Sequence, residues 1–217
     1  MTTFDLTTAD GLRLEARWDV ADDPLGTVVL CHPHPLHGGT MTAPLMGAIT
    51  DVLVEHRLSV LRFNFRGVGG SEGSHGGGEA ELLDIDAATD AAAAAYQDLP
   101  SALSGWSFGA ATALRWSAVR RSARPYVGVA PPVRSELTPW LPAPDELEPA
   151  HRSFVVGERD QFVPVADLEA YARAIGAAVH VIAGSDHFFY FRERRVGELV
   201  AADLSAAMDE PAVGGLR

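Results

Sequence analysis

Residues 102–110 read Ala102-Leu103-Ser104-Gly105-Trp106-Ser107-Phe108-Gly109-Ala110, a short apolar run that meets a G-x-S-x-G pentapeptide and passes directly into an Ala-rich helical segment. Strand, sharp turn and helix in that order are the setting a nucleophile elbow needs. The turn is so tight that its central residue takes strained backbone angles, and a Cβ at either flanking position would meet neighbouring backbone, hence the two glycines. It also sets Ser107 at a helix N-terminus, where free N–H groups and the helix dipole face a developing oxyanion. A chain with 21 glycines produces such strings by chance, so the weight of this one rests on its surroundings.

Upstream and downstream, short β-branched or aliphatic runs alternate with longer amphipathic or Ala-rich segments, the pattern of βα units around a mostly parallel sheet. The runs Thr27–Cys31, Ser59–Phe63, Ala102–Trp106, Tyr126–Val129, Ser153–Gly157 and Ala178–Ala183 predict strands covered on both faces. Thr3–Leu6 and Leu12–Trp18 flank the turn signal Ala9-Asp10-Gly11 and predict an antiparallel hairpin. Leu82, Ile85, Thr89, Ala92 and Tyr96 recur at helical spacing, with acids at 79, 81, 84, 86 and 90 read as a solvated face. Further helices are expected over Pro44–His56, Ala110–Arg120, Val165–Ile175 and Phe188–Met208. The proline-rich segment 130–151 reads as a long surface loop with at most a helical turn. At 217 residues the chain suits one α/β domain over 1–210, with a frayed tail over 211–217.

Composition removes several chemistries. All 17 basic residues are Arg, so no Lys serves a phosphate-binding loop, a Schiff base or a Ser–Lys dyad. Cys31 is the only cysteine, which excludes an intramolecular disulfide and a Cys-x-x-Cys pair and suits a reducing cytoplasm. A net charge of -12 repels phosphate backbones, so nucleic acid is not an expected partner. No apolar run approaches the roughly 20 residues of a membrane span.

An acid and a histidine follow Ser107 in the order of a triad. Asp160 lies just past the run Ser153–Val156, and it is preferred to its neighbour Glu158 because it sits nearer the next helix start. His187 lies in Gly184-Ser185-Asp186-His187-Phe188, and of the eight histidines it is the one placed after the last predicted strand. His187 would take the Ser107 proton and return it to the leaving group, while Asp160 fixes the tautomer and stabilises the imidazolium. The intermediate is an acyl-enzyme opened by water. Each residue also has a plain reading, as a cap of the helix that follows it.

The oxyanion needs one N–H from Phe108, after the nucleophile, and a second from the loop past Cys31. That loop reads His32-Pro33-His34-Pro35-Leu36-His37-Gly38-Gly39. The prolines lack an N–H, which leaves His34 first and Leu36 second. Three histidines there also raise a metal site, but the prolines fix an extended path on which neighbours diverge, so no metal and no cofactor is expected.

The strings CHPHPLHGGTM, LRFNFRGVGGSEG, GWSFGAA, VAPP, GERDQFVP and GSDHFF, in this order, resemble the small cap-less α/β-hydrolases related to the dienelactone hydrolases. The resemblance covers roughly residues 25–205. It implies the α/β-hydrolase fold without a cap domain, a Ser–Asp–His hydrolase carried on Ser107, Asp160 and His187, and oxyanion amides from Phe108 and the HPHP loop. Dienelactone hydrolases proper use a Cys nucleophile, and Ser107 argues against a dienelactone substrate. Within that frame Arg66-Gly67-Val68-Gly69-Gly70-Ser71 is a structural turn. Leu137, Trp140 and Leu141 are expected to border an acyl group beside Trp106, Phe162, Phe188 and Phe189. The expected activity is a carboxylic-ester hydrolase for short to medium acyl groups. A thioesterase or acyltransferase shares the same triad, and a binding scaffold with an idle triad is the reading from another class. The expected partner is a small ester or thioester, with no membrane contact, on a monomer or homodimer.

Overall fold

A computed structural model describes residues 2–209. The segment 211–217 lies outside the described residues. Eight strands form one sheet: β1 (Thr2–Thr7), β2 (Arg13–Asp19), β3 (Gly26–Cys31), β4 (Leu58–Phe63), β5 (Ser101–Trp106), β6 (Tyr126–Val129), β7 (Arg152–Gly157) and β8 (Ala178–Ile182). Their order is β1-β2-β4-β3-β5-β6-β7-β8. The hairpin β1–β2 is antiparallel and β2 joins β4 antiparallel, while every other pair is parallel. Among the described residues five α-helices flank the sheet, the last of them after the final strand: α1 (Pro44–Glu55), α2 (Glu81–Ala95), α3 (Phe108–Val119), α4 (Val165–Ala174) and α5 (Glu193–Asp209).

The sheet runs outward from β3 in both directions, since β4 lies on one side of it and β5 on the other. Right-handed crossovers taken in opposite directions put their helices on opposite faces. Accordingly α1 packs on α5, and α2 packs on α3. Strands β3, β4 and β7 are buried along their whole length, which explains their unbroken apolar character. The chain order reverses at β3 and β5, so the crevice beyond their C-terminal ends is the natural place for a site in an open α/β sheet.

Three expectations need correction. The run Ala178–Ala183 is not covered on both faces: it forms β8 at the edge of the sheet, where Ala178 and Val181 are exposed. The acids of α2 are not a solvated face: Glu81 and Asp84 are completely buried, and only Glu79 and Asp90 of the set are exposed. Glu81 accepts the N–H groups of Gly76 and Gly78, and Asp84 accepts the guanidinium and the backbone N–H of Arg66. Helical spacing reported the apolar stripe correctly, but it says nothing about carboxylates that turn to tie down the preceding loop. The last helix starts at Glu193, not Phe188, because Phe189 (φ 56°) and Phe191 (φ 63°) take left-handed backbone angles that end any helix.

The proline-rich segment holds one short 3-10 turn, Pro144–Glu146. It is pinned at several points. The Ala130 N–H donates to Val155 O, the Tyr171 hydroxyl donates to Pro142 O, and Pro139 packs so closely on Gly78 that a Cβ there would come within 2.5 Å of it.

Candidate active site

Ser107 follows β5 and caps α3 with φ 54° and ψ −115°, a backbone conformation that costs of order 1–3 kcal/mol and persists only where the surroundings enforce it. They do so here. The Ser107 N–H donates to Val129 O at 2.8 Å and its carbonyl accepts Ala111 N–H at 3.0 Å. A Cβ on Gly105 would come within 2.7 Å of the Gly109 backbone, so the two elbow glycines press on each other.

His187 joins the elbow from the far edge of the sheet. Its Nε2 lies 3.0 Å from Ser107 Oγ, and its Nδ1 lies 2.8 Å from Asp160 Oδ2. A carboxylate only accepts, so the proton sits on Nδ1 and leaves the Nε2 lone pair to receive the serine O–H. All three residues are at least nine-tenths buried. Asp160 is held by its other oxygen, Oδ1, which accepts the N–H groups of Phe162 and Val163 at 2.9 Å. The histidine loop is set by Asp186, whose Oδ1 accepts the Phe188 and Phe189 N–H groups, and by Trp106 Nε1, which donates to His187 O. Arg159 N–H to Ser185 O ties the acid loop to the histidine loop. Glu158 points elsewhere and accepts Gly184 N–H.

The loop after β3 lies across the elbow. A Cβ on Gly109 would overlap the carbonyl oxygens of Cys31 and His32. His32 is fully buried, with Nδ1 2.6 Å from Pro33 O and Nε2 accepting Phe65 N–H at 3.0 Å, and burial pushes its pKa down to about 4. It is therefore a neutral strut between the loops after β3 and β4. His34 Nδ1 accepts the Leu36 N–H at 3.2 Å. That bond engages the Leu36 amide, and the Leu36 side chain is 72% exposed, outside the cavity wall. The His34 N–H donates to no group among the described residues, and Phe108 is the first residue of α3, where an N–H has no place in the helix ladder. Burial and the neighbouring His75 and His37 lower the His34 pKa.

A cavity of about 510 Å³ opens on Ser107 and His187. Of the expected pocket residues, Trp106, Leu137, Phe162 and Phe188 line it. Phe162 and Phe188 pack edge-on to the His187 ring, with centroids at 5.0 and 5.7 Å. Trp140, Leu141 and Phe189 do not line it: Trp140 is 73% exposed, Leu141 packs on the core, and Phe189 is fully buried in it. Their neighbours Thr138 and Tyr190 take those places, together with Pro132, Arg134 and Glu193. Hydrophobicity nominated the large side chains of the loop, whereas turns with no sequence period decided which of them face inward. A second hollow of about 570 Å³ lies between β8 and α5, away from Ser107. Among the described residues, no helix is long and apolar enough to cross a membrane and no cluster of His, Cys, Asp or Glu has the arrangement of a metal site.

The family model described as serine aminopeptidase, S33 (Hydrolase_4) matches residues 22–156. An uncharacterized protein of Rickettsia prowazekii is 32% identical over 200 residues, covering 87% of this chain and 82% of its own. An α/β serine hydrolase homologue from Coxiella burnetii is 31% identical with a TM-score of 0.80, covering 94% of this chain and 97% of its own. The Xanthomonas campestris protein described as an α/β serine hydrolase without lid superimposes with a TM-score of 0.82 at 23% identity, over 97% of this chain and 96% of its own. With the elbow, the cap-less sheet and these matches in agreement, the chain belongs to the serine aminopeptidase S33 (Hydrolase_4) family of α/β-hydrolases.

Proposed function

We propose that this protein is a carboxylic-ester hydrolase that works through Ser107, His187 and Asp160 and an acyl-enzyme. The observation that carries the reading is the unbroken relay Ser107 Oγ, His187, Asp160 at 3.0 and 2.8 Å, opening into one cavity. Ser107 Oγ attacks the ester carbonyl carbon while His187 Nε2 takes its proton. The carbonyl oxygen becomes an oxyanion held by the N–H groups of Phe108 and His34. The tetrahedral intermediate collapses, the C–O bond to the alcohol breaks, and His187 returns the proton to the leaving alkoxide. Water, deprotonated by the same imidazole, then releases the acid and restores Ser107. A cavity of about 510 Å³ with Leu137, Phe162 and Phe188 on its wall suits short to medium acyl groups.

The test is intact mass after treatment with a fluorophosphonate, which the nucleophile attacks at phosphorus with loss of fluoride. One adduct on the natural protein and none on Ser107→Ala is the expected result. A folded natural protein that takes no label overturns the reading. Turnover of 4-nitrophenyl esters set against aminoacyl 4-nitroanilides separates ester from amide substrates, and the esters are expected to react.

A further inference from the structure

Arg134 is the one basic side chain other than histidine on the wall of the Ser107 cavity and Glu193 the one acidic side chain, and neither has an ion-pair or hydrogen-bond partner among the described residues. Arg62, Arg66, Arg120 and Arg194 all end on carboxylates, while the side chains of Arg159 and Arg173 are, like Arg134, without a partner among the described residues but lie off the cavity wall. Arg134 is exposed and stands on the loop between β6 and β7, which Ala130, Pro139 and Pro142 pin to the body of the protein. Four residues on, Thr138 lines the same cavity. It is only 9% exposed, yet its hydroxyl oxygen is shut off from water and has no hydrogen-bond partner. A buried hydroxyl without a partner carries a desolvation cost, and because water cannot reach this oxygen a ligand removes that cost only when the side chain turns its hydroxyl toward the cavity.

Both groups want the same thing. A guanidinium offers a planar fork of donors that matches a carboxylate, and a threonine hydroxyl adds one more donor. The chain as a whole carries -12, so its long-range field repels anions and a free cation at the cavity is a local exception to it. We propose that Arg134, joined by Thr138 once its hydroxyl turns inward as a second donor, forms an anion subsite that selects esters carrying a carboxylate at the end remote from the scissile bond. This rests on the ester-hydrolase reading above and names the substrate class of that same site. Glu193 faces the cavity with the opposite sign and limits how strongly the anion is held.

The test compares kcat/KM for matched pairs of esters. One pair carries the charge on the acyl side, mono-4-nitrophenyl glutarate against 4-nitrophenyl pentanoate. The other carries it on the alcohol side, 4-acetoxybenzoate against its methyl ester. The readout is the anionic-to-neutral ratio for each pair. For at least one pair, Arg134→Gln is expected to lower the ratio by about tenfold or more, mostly through KM, and Thr138→Val to lower it by about threefold, the effects of losing a charged and a neutral hydrogen bond. Glu193→Gln should raise the ratio, and added salt should lower it in the natural protein. Glu136→Gln, an exposed neighbour in the same loop that is not part of the cavity wall, should leave it unchanged. Ratios that Arg134→Gln leaves within about twofold for both pairs overturn the subsite, while turnover of the neutral esters keeps the ester reading. A natural protein that hydrolyses none of the four esters and takes no fluorophosphonate overturns both.

Discussion

Gly109 and Cys31 meet backbone to backbone: a Cβ built on Gly109 overlaps the Cys31 carbonyl oxygen at the end of β3. The first turn of α3 therefore rests on the loop that carries His34. Gly109→Ala is expected to cost about 1–3 kcal/mol of stability through overpacking. It should also lower kcat more than it raises KM, because the two proposed oxyanion donors are pushed apart. Gly47, inside α1, has nothing within 4 Å of an added Cβ. Gly47→Ala should stabilise by about 0.5–1 kcal/mol, and urea unfolding of both variants reads the opposite signs.

Asp160 divides its work between its oxygens, one on Phe162 and Val163 N–H and the other on His187. Asparagine keeps the first set of bonds with its carbonyl and turns an N–H₂ donor toward His187 Nδ1. The imidazole then has to place its proton on Nε2, where it cannot receive the serine proton. Asp160→Asn should lose about 10⁴-fold in kcat while unfolding close to the natural protein. Asp160→Ala should lose stability as well. A kcat for Asp160→Asn within tenfold of the natural value would remove Asp160 from the triad.

His32 gives the protein an acid-side liability. Its folded pKa is about 4, below the ordinary 6.5, because burial disfavours the charged ring. Above the unfolded pKa both states are neutral and the stabilisation is complete. As pH falls from 6.5 toward about 4, the unfolded chain takes up a proton that the folded one refuses, and stability drops by up to about 1.4 kcal/mol per pH unit. His34, lowered by the same cause, adds with the same sign, whereas Asp84, raised by burial, works in the opposite sense. The advantage of the natural protein over His32→Gln should therefore be largest near neutral pH and shrink steadily below pH 6.5. An advantage that stays constant across that range sinks the account.

What could be read from the sequence, and what could not, separates along physical lines. The elbow was legible because its glycines answer a local steric demand at Gly105 and Gly109, and the inner strands because parallel strands inside a sheet are apolar on both faces. The positions of Asp160 and His187 followed from the rule that α/β sites gather at the C-terminal ends of strands, and their side chains stand 2.8 Å apart. Tertiary decisions were not legible. Whether Phe188 or Phe189 faces the cavity depends on the left-handed angle at Phe189, and nothing in an apolar pair announces it. Arg134 and Thr138 sat unnoticed among prolines because their interest lies in lacking partners, a property that exists only once the chain is folded.

The same is true of Arg66, whose neighbourhood of glycines read as a simple turn. Its side chain is buried and grips Asp84 with Nε and a terminal nitrogen, while Asp84 also accepts the Arg66 N–H at 2.9 Å and is itself completely buried. Asp10 holds the other terminal nitrogen from the hairpin turn. Replacing Arg66 by Met strands the Asp84 carboxylate without its cation, which should cost about 3–5 kcal/mol near neutral pH. Asp84→Asn should cost less, since Arg66 keeps Asp10. The sign of the pH dependence discriminates this account from simple loss of packing. Burial already raises the Asp84 pKa, and removing Arg66 raises it further, so the stranded carboxylate takes up a proton more readily in the folded state than in the unfolded one. The deficit of Arg66→Met should therefore be greatest at high pH and shrink as pH falls. Chemical unfolding of natural and variant protein across mildly acid to mildly alkaline pH measures it, and a deficit independent of pH would assign the loss to packing alone.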